Sequence, residues 1–149
     1  MKQSGWSGML VASVMLGSCS PGAAVTDDGD LPVLVRSSIR TNASLQALAQ
    51  GTLHLDRAGC LRIGEGGPFV IWPYDSRVSR TAEGLVQVTD GLSGQAIDVG
   101  QEFAVAGAGV DVPPTELREP IPPACATGRF WLAGPVMSEA DRLAVTNRR

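Results

Sequence analysis

Lysine is all but missing from this chain. Lys2 is the only one in 149 residues, so the other basic residues are all arginines, 11 of them, set against 15 acidic residues. They are scattered and outnumbered. No basic stripe of the kind that displaces counterions from a nucleic-acid backbone is present, and a nucleic-acid partner is not expected. Histidine and tyrosine occur once each, as His54 and Tyr74. A zinc site needs three or four closely placed ligands, which the chain does not offer, and neither a metal nor a cofactor is expected. No apolar run approaches the ~20 residues that a membrane-spanning helix requires.

What the chain does have is glycine and proline, 18 and 10 residues. That abundance suits short strands joined by tight turns better than long helices. After a leader and a tether are set aside, roughly 100 residues remain, enough for one modest core.

The first residues divide as a secretory signal does. Lys2 supplies a positive start, Met9–Leu16 is apolar apart from Ser13, and Leu16-Gly17-Ser18-Cys19 closes the segment. An apolar run followed by Leu, two small residues and Cys resembles the bacterial lipobox. The resemblance implies cleavage before Cys19 and attachment of a diacylglycerol group to its thiol. It implies a protein anchored by lipid to the cell membrane or the outer membrane, with its domain outside the cytoplasm. Ser20 follows the cysteine where aspartate would mark inner-membrane retention, so the outer membrane is favoured in a two-membrane host. The expected organisation is a leader over 1–18, a lipidated tether over 19–32, a β-domain over 33–136 and a tail over 137–149.

Leu31–Val35 reads as a short first strand, and Asn42 caps a short helical segment running to Gln50. From Gly51 the apolar period becomes two. Leu53 and Leu55 share one face, "RAG" (57–59) turns the chain, and Leu61 and Ile63 follow, which predicts a hairpin. "PFVIWP" (68–73) is continuously apolar, as a central strand would be. A polar bend leads to the alternating segments "GLVQVTD", "QAIDVG" and "EFAVAG", and "RFWLAG" (129–134) is the last strand expected. Five prolines between Asp111 and Thr127 predict an extended surface connection. A helical turn or two is expected after Ser138. The pattern predicts an all-β domain, a small OB-like or SH3-like β-barrel.

The arrangement "GCLRIG…FVIWP…GLVQVTDGLSGQAIDVGQEFAVAGAGV…IPPACATGRFWLAGPV" resembles small bacterial β-barrel lipoproteins for which no activity is established. It implies the same kind of domain and carries no activity with it.

With Cys19 committed to lipid, Cys60 and Cys125 remain. Export places them in an oxidising compartment, where a single disulfide between them is expected; separate buried thiols are the alternative. His54 falls on the polar phase of a strand, and no Gly-x-Ser-x-Gly elbow accompanies it, so no catalytic residue is assigned. Asp56, Glu65, Asp75, Glu83, Asp90 and Glu102 fall near turns or strand ends, where carboxylates are expected to stay solvated. The glycines of "GEGG" and "AGAG" are expected to supply positive φ in turns.

"IWPYDSR" (71–77) is the stretch with binding character. Trp72, Tyr74 and Arg77, with Trp131 further on, form a candidate ligand or partner surface; alternatively Trp72 plugs the barrel. The function expected is a lipid-anchored envelope protein with a non-enzymatic binding or structural domain. The alternatives are an accessory subunit or inhibitor of a larger envelope enzyme, and a small envelope hydrolase.

Overall fold

The computed structural model describes residues 31–40 and 47–148. The leader, Cys19, the tether up to Asp30 and positions 42–46 of the expected helix lie outside the described residues. Eight strands follow: β1 (Ala47–Leu55), β2 (Leu61–Ile63), β3 (Phe69–Ile71), β4 (Arg77–Arg80), β5 (Val86–Thr89), β6 (Ala96–Asp98), β7 (Glu102–Val110) and β8 (Phe130–Val136), with a C-terminal helix α1 (Glu139–Thr146).

β1, β2, β3, β8 and β7 close into a barrel in that order, and β4, β5 and β6 form a separate three-stranded sheet. β1 runs antiparallel to β2 on one side and β7 on the other. β3 pairs antiparallel with β2 and parallel with β8. The first three strands are sequential, and the fourth barrel strand, β7, returns by a long connection to lie beside β1. That is a Greek key, and a five-stranded Greek-key barrel is the OB-like alternative of the two expected.

Three departures from the sequence reading concern which residues are strands, one of them at Leu31–Val35. Ala47–Gln50, expected to be helical, begins β1, with Leu48 opposite Ala106 and Gln50 opposite Ala104. Pairing along a nine-residue neighbour outweighs the local helix preference of an Ala- and Leu-rich segment. The polar bend after Tyr74 contains β4, which pairs with β5 from Arg77↔Thr89 to Arg80↔Val86.

Alternation along the barrel strands separates two apolar clusters. Leu53, Leu61, Ile63, Val70, Trp72, Phe103, Val105 and Val136 face inward and pack with Val88 and Ile97 of the small sheet and with Leu34. The opposite phase of β3 and β8, Phe69, Ile71 and Phe130, packs with Val35, Cys60 and Cys125, and with the half-buried Leu117 and Ile121. The proline-rich connection therefore does more than cross the surface. It lays Leu117, Ile121 and Cys125 over the outer face of β3 and β8. Cys60 and Cys125 are joined by a disulfide, with 5.6 Å between their Cα atoms, and both are fully buried. A bridge spanning 65 residues restricts the unfolded chain by about 4 kcal/mol in the chain-entropy account.

Leu31–Val35 does not form a strand. The segment instead makes isolated bridges one step later, Arg36 with Trp72 and Ser37 with Leu117. Trp72 N–H donates to the Val35 carbonyl at 2.9 Å and Ser37 N–H to the Trp72 carbonyl at 2.9 Å. Arg118 N–H donates to the Arg36 carbonyl at 2.8 Å, and the Arg36 side chain pairs with Glu119. This strap lies between the end of β3 and the proline-rich connection.

Asp90 is not solvated, contrary to expectation. It is 1% exposed, and burial of a carboxylate demands full hydrogen bonding. The N–H groups of Leu92 and Ser93 donate to it at 3.2 and 2.9 Å, and the Ser93 hydroxyl donates as well. The Val136 N–H of β8 donates to Oδ2 at 3.0 Å. One side chain thus closes the turn between β5 and β6 and fastens the small sheet to the barrel end where β8 finishes. Asp90→Ala leaves three N–H groups without their acceptor, the one of Val136 in a buried position, and Asp90→Asn keeps one acceptor oxygen but turns an NH2 donor towards the rest. Either substitution is expected to destabilise by about 3 kcal/mol or more, measured by urea denaturation.

Candidate binding site

The four residues singled out from the sequence do not form one surface. Trp72 is 0% exposed and stacks on Phe103 inside the barrel, with ring centroids 6.5 Å apart; the plug alternative describes its position. Tyr74 lies in the loop after β3, half-buried, with the guanidinium carbons of Arg40 and Arg118 at 4.3 and 4.4 Å from its ring centroid. Arg118 also donates from Nη1 to the Tyr74 carbonyl at 3.1 Å, and Arg40 pairs with Asp75 at 3.2 Å. The ring that a ligand would stack upon already holds two of the chain's own cations. Arg77 is exposed at the start of β4 on the small sheet. Trp131, on β8, borders a recess.

That recess follows from the barrel's registers. β3 ends, β8 ends and β7 begins at the end where the small sheet sits, with Val88 and Ile97 packed against the interior cluster. The opposite end gathers the start of β1, the close of β2, the start of β3, the close of β7 and the start of β8. A recess of about 270 Å³ opens there, lined by Ala49, Gln50, Ile63, Pro68, Gly109, Arg129, Phe130 and Trp131. The mouth of a small barrel is a common place for a small-molecule site.

Two glycines of the "AGAG" stretch shape it, and neither has a positive φ; the residues with positive φ include Gly64 and Gly66 of "GEGG". Gly107 and Gly109 instead sit mid-strand in β7, where the indole of Trp131 crosses them. A Cβ on Gly107 would fall 2.3 Å from the Leu132 carbonyl oxygen and 2.4 Å from Trp131 Nε1. The indole N–H is pressed against this backbone, buried and without a hydrogen-bond partner. Gly109, directly opposite Trp131 in register, leaves more room. A Cβ there would lie 3.3 Å from Arg129 Nη2 and 3.7 Å from Trp131 Cε3 and Cζ3. Indole and guanidinium therefore converge on one point above a glycine floor. Arg129 meets Asp111 at 3.3 Å through Nε, with both side chains largely exposed, a surface pair worth little in water.

Of the remaining polar candidates, Glu65, Asp75, Glu83 and Glu102 are exposed, as expected, whereas Asp56, like Asp90, is built into the scaffold. His54 lies on β1 opposite Arg62, and no group of three or more His, Cys, Asp or Glu side chains converges among the described residues. Asp56 closes the β1–β2 turn: its Oδ1 accepts from the N–H groups of Ala58 and Cys60 at 2.9 and 3.0 Å. Its Oδ2 accepts from Arg62 Nε at 2.9 Å, and Arg62, itself buried, donates onward to the Gly67 carbonyl at 3.2 Å. Burial opposes ionisation of Asp56, but the Arg62 hydrogen bond and the two backbone N–H groups outweigh it and hold its pKa below the ordinary carboxylate value. Asp75 and Glu102 pair with Arg40 and Arg142. Gln50, Gly109 and Arg129 were not legible as site residues, although an arginine beside Phe-Trp and a small-residue strand were the signals available.

No family model, curated protein or solved structure matches this chain, so its function has to be read from the geometry itself.

Two measurements test this account. With a lowered folded-state pKa, Asp56 stabilises the fold in full above its unfolded value, and that contribution is lost as pH falls through the folded value. Asp56→Asn is expected to cost about 1–3 kcal/mol at neutral pH, the gap to wild type closing as pH falls below the ordinary value of 3.8; urea titrations along a pH series would show it. Gly107→Ala, forced against a backbone carbonyl, is expected to destabilise by about 1–3 kcal/mol. Gly109→Ala, which meets only the movable end of Arg129 and ring carbons at contact distance, is expected to stay within about 0.5 kcal/mol of wild type.

Proposed function

We propose that the chain is a lipid-anchored bacterial envelope protein whose barrel is a non-enzymatic binding module. The observation that carries this reading is the Cys60–Cys125 bridge. A buried disulfide belongs to an oxidising compartment, in keeping with export. It also accounts for two of the three cysteines, and the third, Cys19, stands at the end of Leu-Gly-Ser-Cys, where a lipobox would place its acylated residue. Two or three acyl chains, at about 0.8 kcal/mol for each buried methylene, anchor a protein stably. Ser20 directs the protein to the outer membrane if the host has one.

Binding is favoured over turnover by how the polar side chains are used. Asp90 and the Asp56–Arg62 pair satisfy backbone groups and one another, and the recess offers an apolar lining with a single charged residue. Trp72 is buried, Tyr74 is covered by Arg40 and Arg118, and Trp131 lies apart from both at the recess, which speaks against a large exposed aromatic patch for docking on another enzyme. The expected result of growing cells on labelled palmitate is a labelled wild type and an unlabelled Cys19→Ala variant. Label persisting in Cys19→Ala would overturn the anchor assignment.

A further inference from the structure

We propose that the open end of the barrel binds a small aromatic carboxylate, with Trp131 and Arg129 as the recognising side chains. The proposal names the ligand class of the binding module put forward above and rests on that reading. Its basis is the convergence over Gly109. The point that a Cβ on Gly109 would occupy lies 3.3 Å from Arg129 Nη2 and 3.7 Å from two ring carbons of Trp131, so guanidinium and indole both border the space beyond the bare Gly109 Cα. A group seated in that space lies between a cation and an aromatic ring. An aromatic ring there meets the indole and an otherwise apolar wall, Ala49, Ile63, Pro68 and Phe130, in the contact that aromatic pairs favour.

The charge selects the other half of the ligand. Among the described residues Arg129 is the one charged residue lining the recess, and guanidinium recognises carboxylate through paired N–H donors. Its present partner is Asp111, 85% exposed. Exchanging one solvated carboxylate for another that is held in place by ring contact costs little. Gln50 adds a neutral amide at the rim. A recess of about 270 Å³ sits just below the usual range for drug-sized ligands, which limits the occupant to a single ring with a short acidic arm.

Phenylacetate is a suitable probe, and phenylacetamide its neutral counterpart. The full chain in detergent, labelled with nitrogen-15, is titrated with each and followed by amide and indole shifts. Phenylacetate is expected to saturate on the order of millimolar, as its size allows, with shifts centred on Ala49, Gly109 and the Trp131 region. Phenylacetamide is expected to bind about tenfold more weakly to wild type, and Arg129→Gln is expected to weaken phenylacetate about tenfold while erasing the difference between the two probes. Gly109→Val, which fills the floor with a side chain that suits a strand, is expected to abolish binding. Arg129→Gln is a surface change and keeps the test decisive if Gly109→Val fails to fold.

Equal affinity for the acid and the amide in wild type overturns the proposal. So do shifts away from the recess, a lack of saturation, or saturation by a neutral sugar in place of the acid. The outcome is separable from that of the anchor: labelled protein that ignores phenylacetate removes the ligand assignment alone, and unlabelled protein that binds it removes the envelope assignment alone.

Discussion

β3 is buried on both faces, and most of the remaining architecture answers that constraint. Val70 and Trp72 fill the barrel interior, while Phe69 and Ile71 project outward from the same four residues. A strand of a simple barrel has one face for the core and one for water. Here the outer face needs a cover, and the proline-rich connection, the strap at Val35–Ser37 and the Cys60–Cys125 bridge together supply it. The edge positions of this cover are fixed by backbone hydrogen bonds to Trp72, Glu116 and Arg118 and by the Arg36–Glu119 pair. Apolar burial drives the arrangement, and the disulfide holds a segment that prolines prevent from joining the sheet.

The two barrel ends are treated differently. At one, the sheet of β4, β5 and β6 is drawn against the interior by Val88 and Ile97 and fastened through buried Asp90 to the last residue of β8. At the other, no element of the described residues intrudes, and glycine rather than a bulky residue lies opposite Trp131. A closed, rigid scaffold with one plugged end and one open end presents its recess on strands rather than on long loops, which favours a preorganised site. The scaffold's buried charges keep to structural duties, so the recess is left with one cation and little else that is polar.

Much of the barrel was legible because period-two alternation survives wherever a strand has one dry face. The Leu53–Leu55 and Leu61–Ile63 hairpin and the strands at Val86, Ile97, Phe103 and Phe130 announced themselves this way, and the unbroken apolar run at Phe69–Ile71 marked the doubly buried strand. Where the reading failed, the deciding partner was remote. Ala47–Gln50 looked helical until paired with β7. Arg77–Arg80 has one apolar residue and lies at an edge, so it carries no alternation to detect. Asp90 gave no hint of burial, since its partner Val136 is 46 positions away. Gly107 and Gly109 read as turn residues, because nothing local shows that an indole crosses them.

Among the described residues the small sheet, unlike the barrel, has two outer strands, β4 and β6. β4 is an exposed strand that begins and ends with arginine, Arg77 and Arg80. Unpaired strand edges recruit further strands, and charged residues on them discourage it. If two copies met along β4 in the antiparallel sense, Arg77 of one would lie across from Arg80 of the other, twice over. Like charges facing at both ends of a four-residue ladder would push the copies apart. The sequence Arg-Val-Ser-Arg, too polar to announce a strand, is thereby suited to keeping each molecule from growing its sheet into its neighbour.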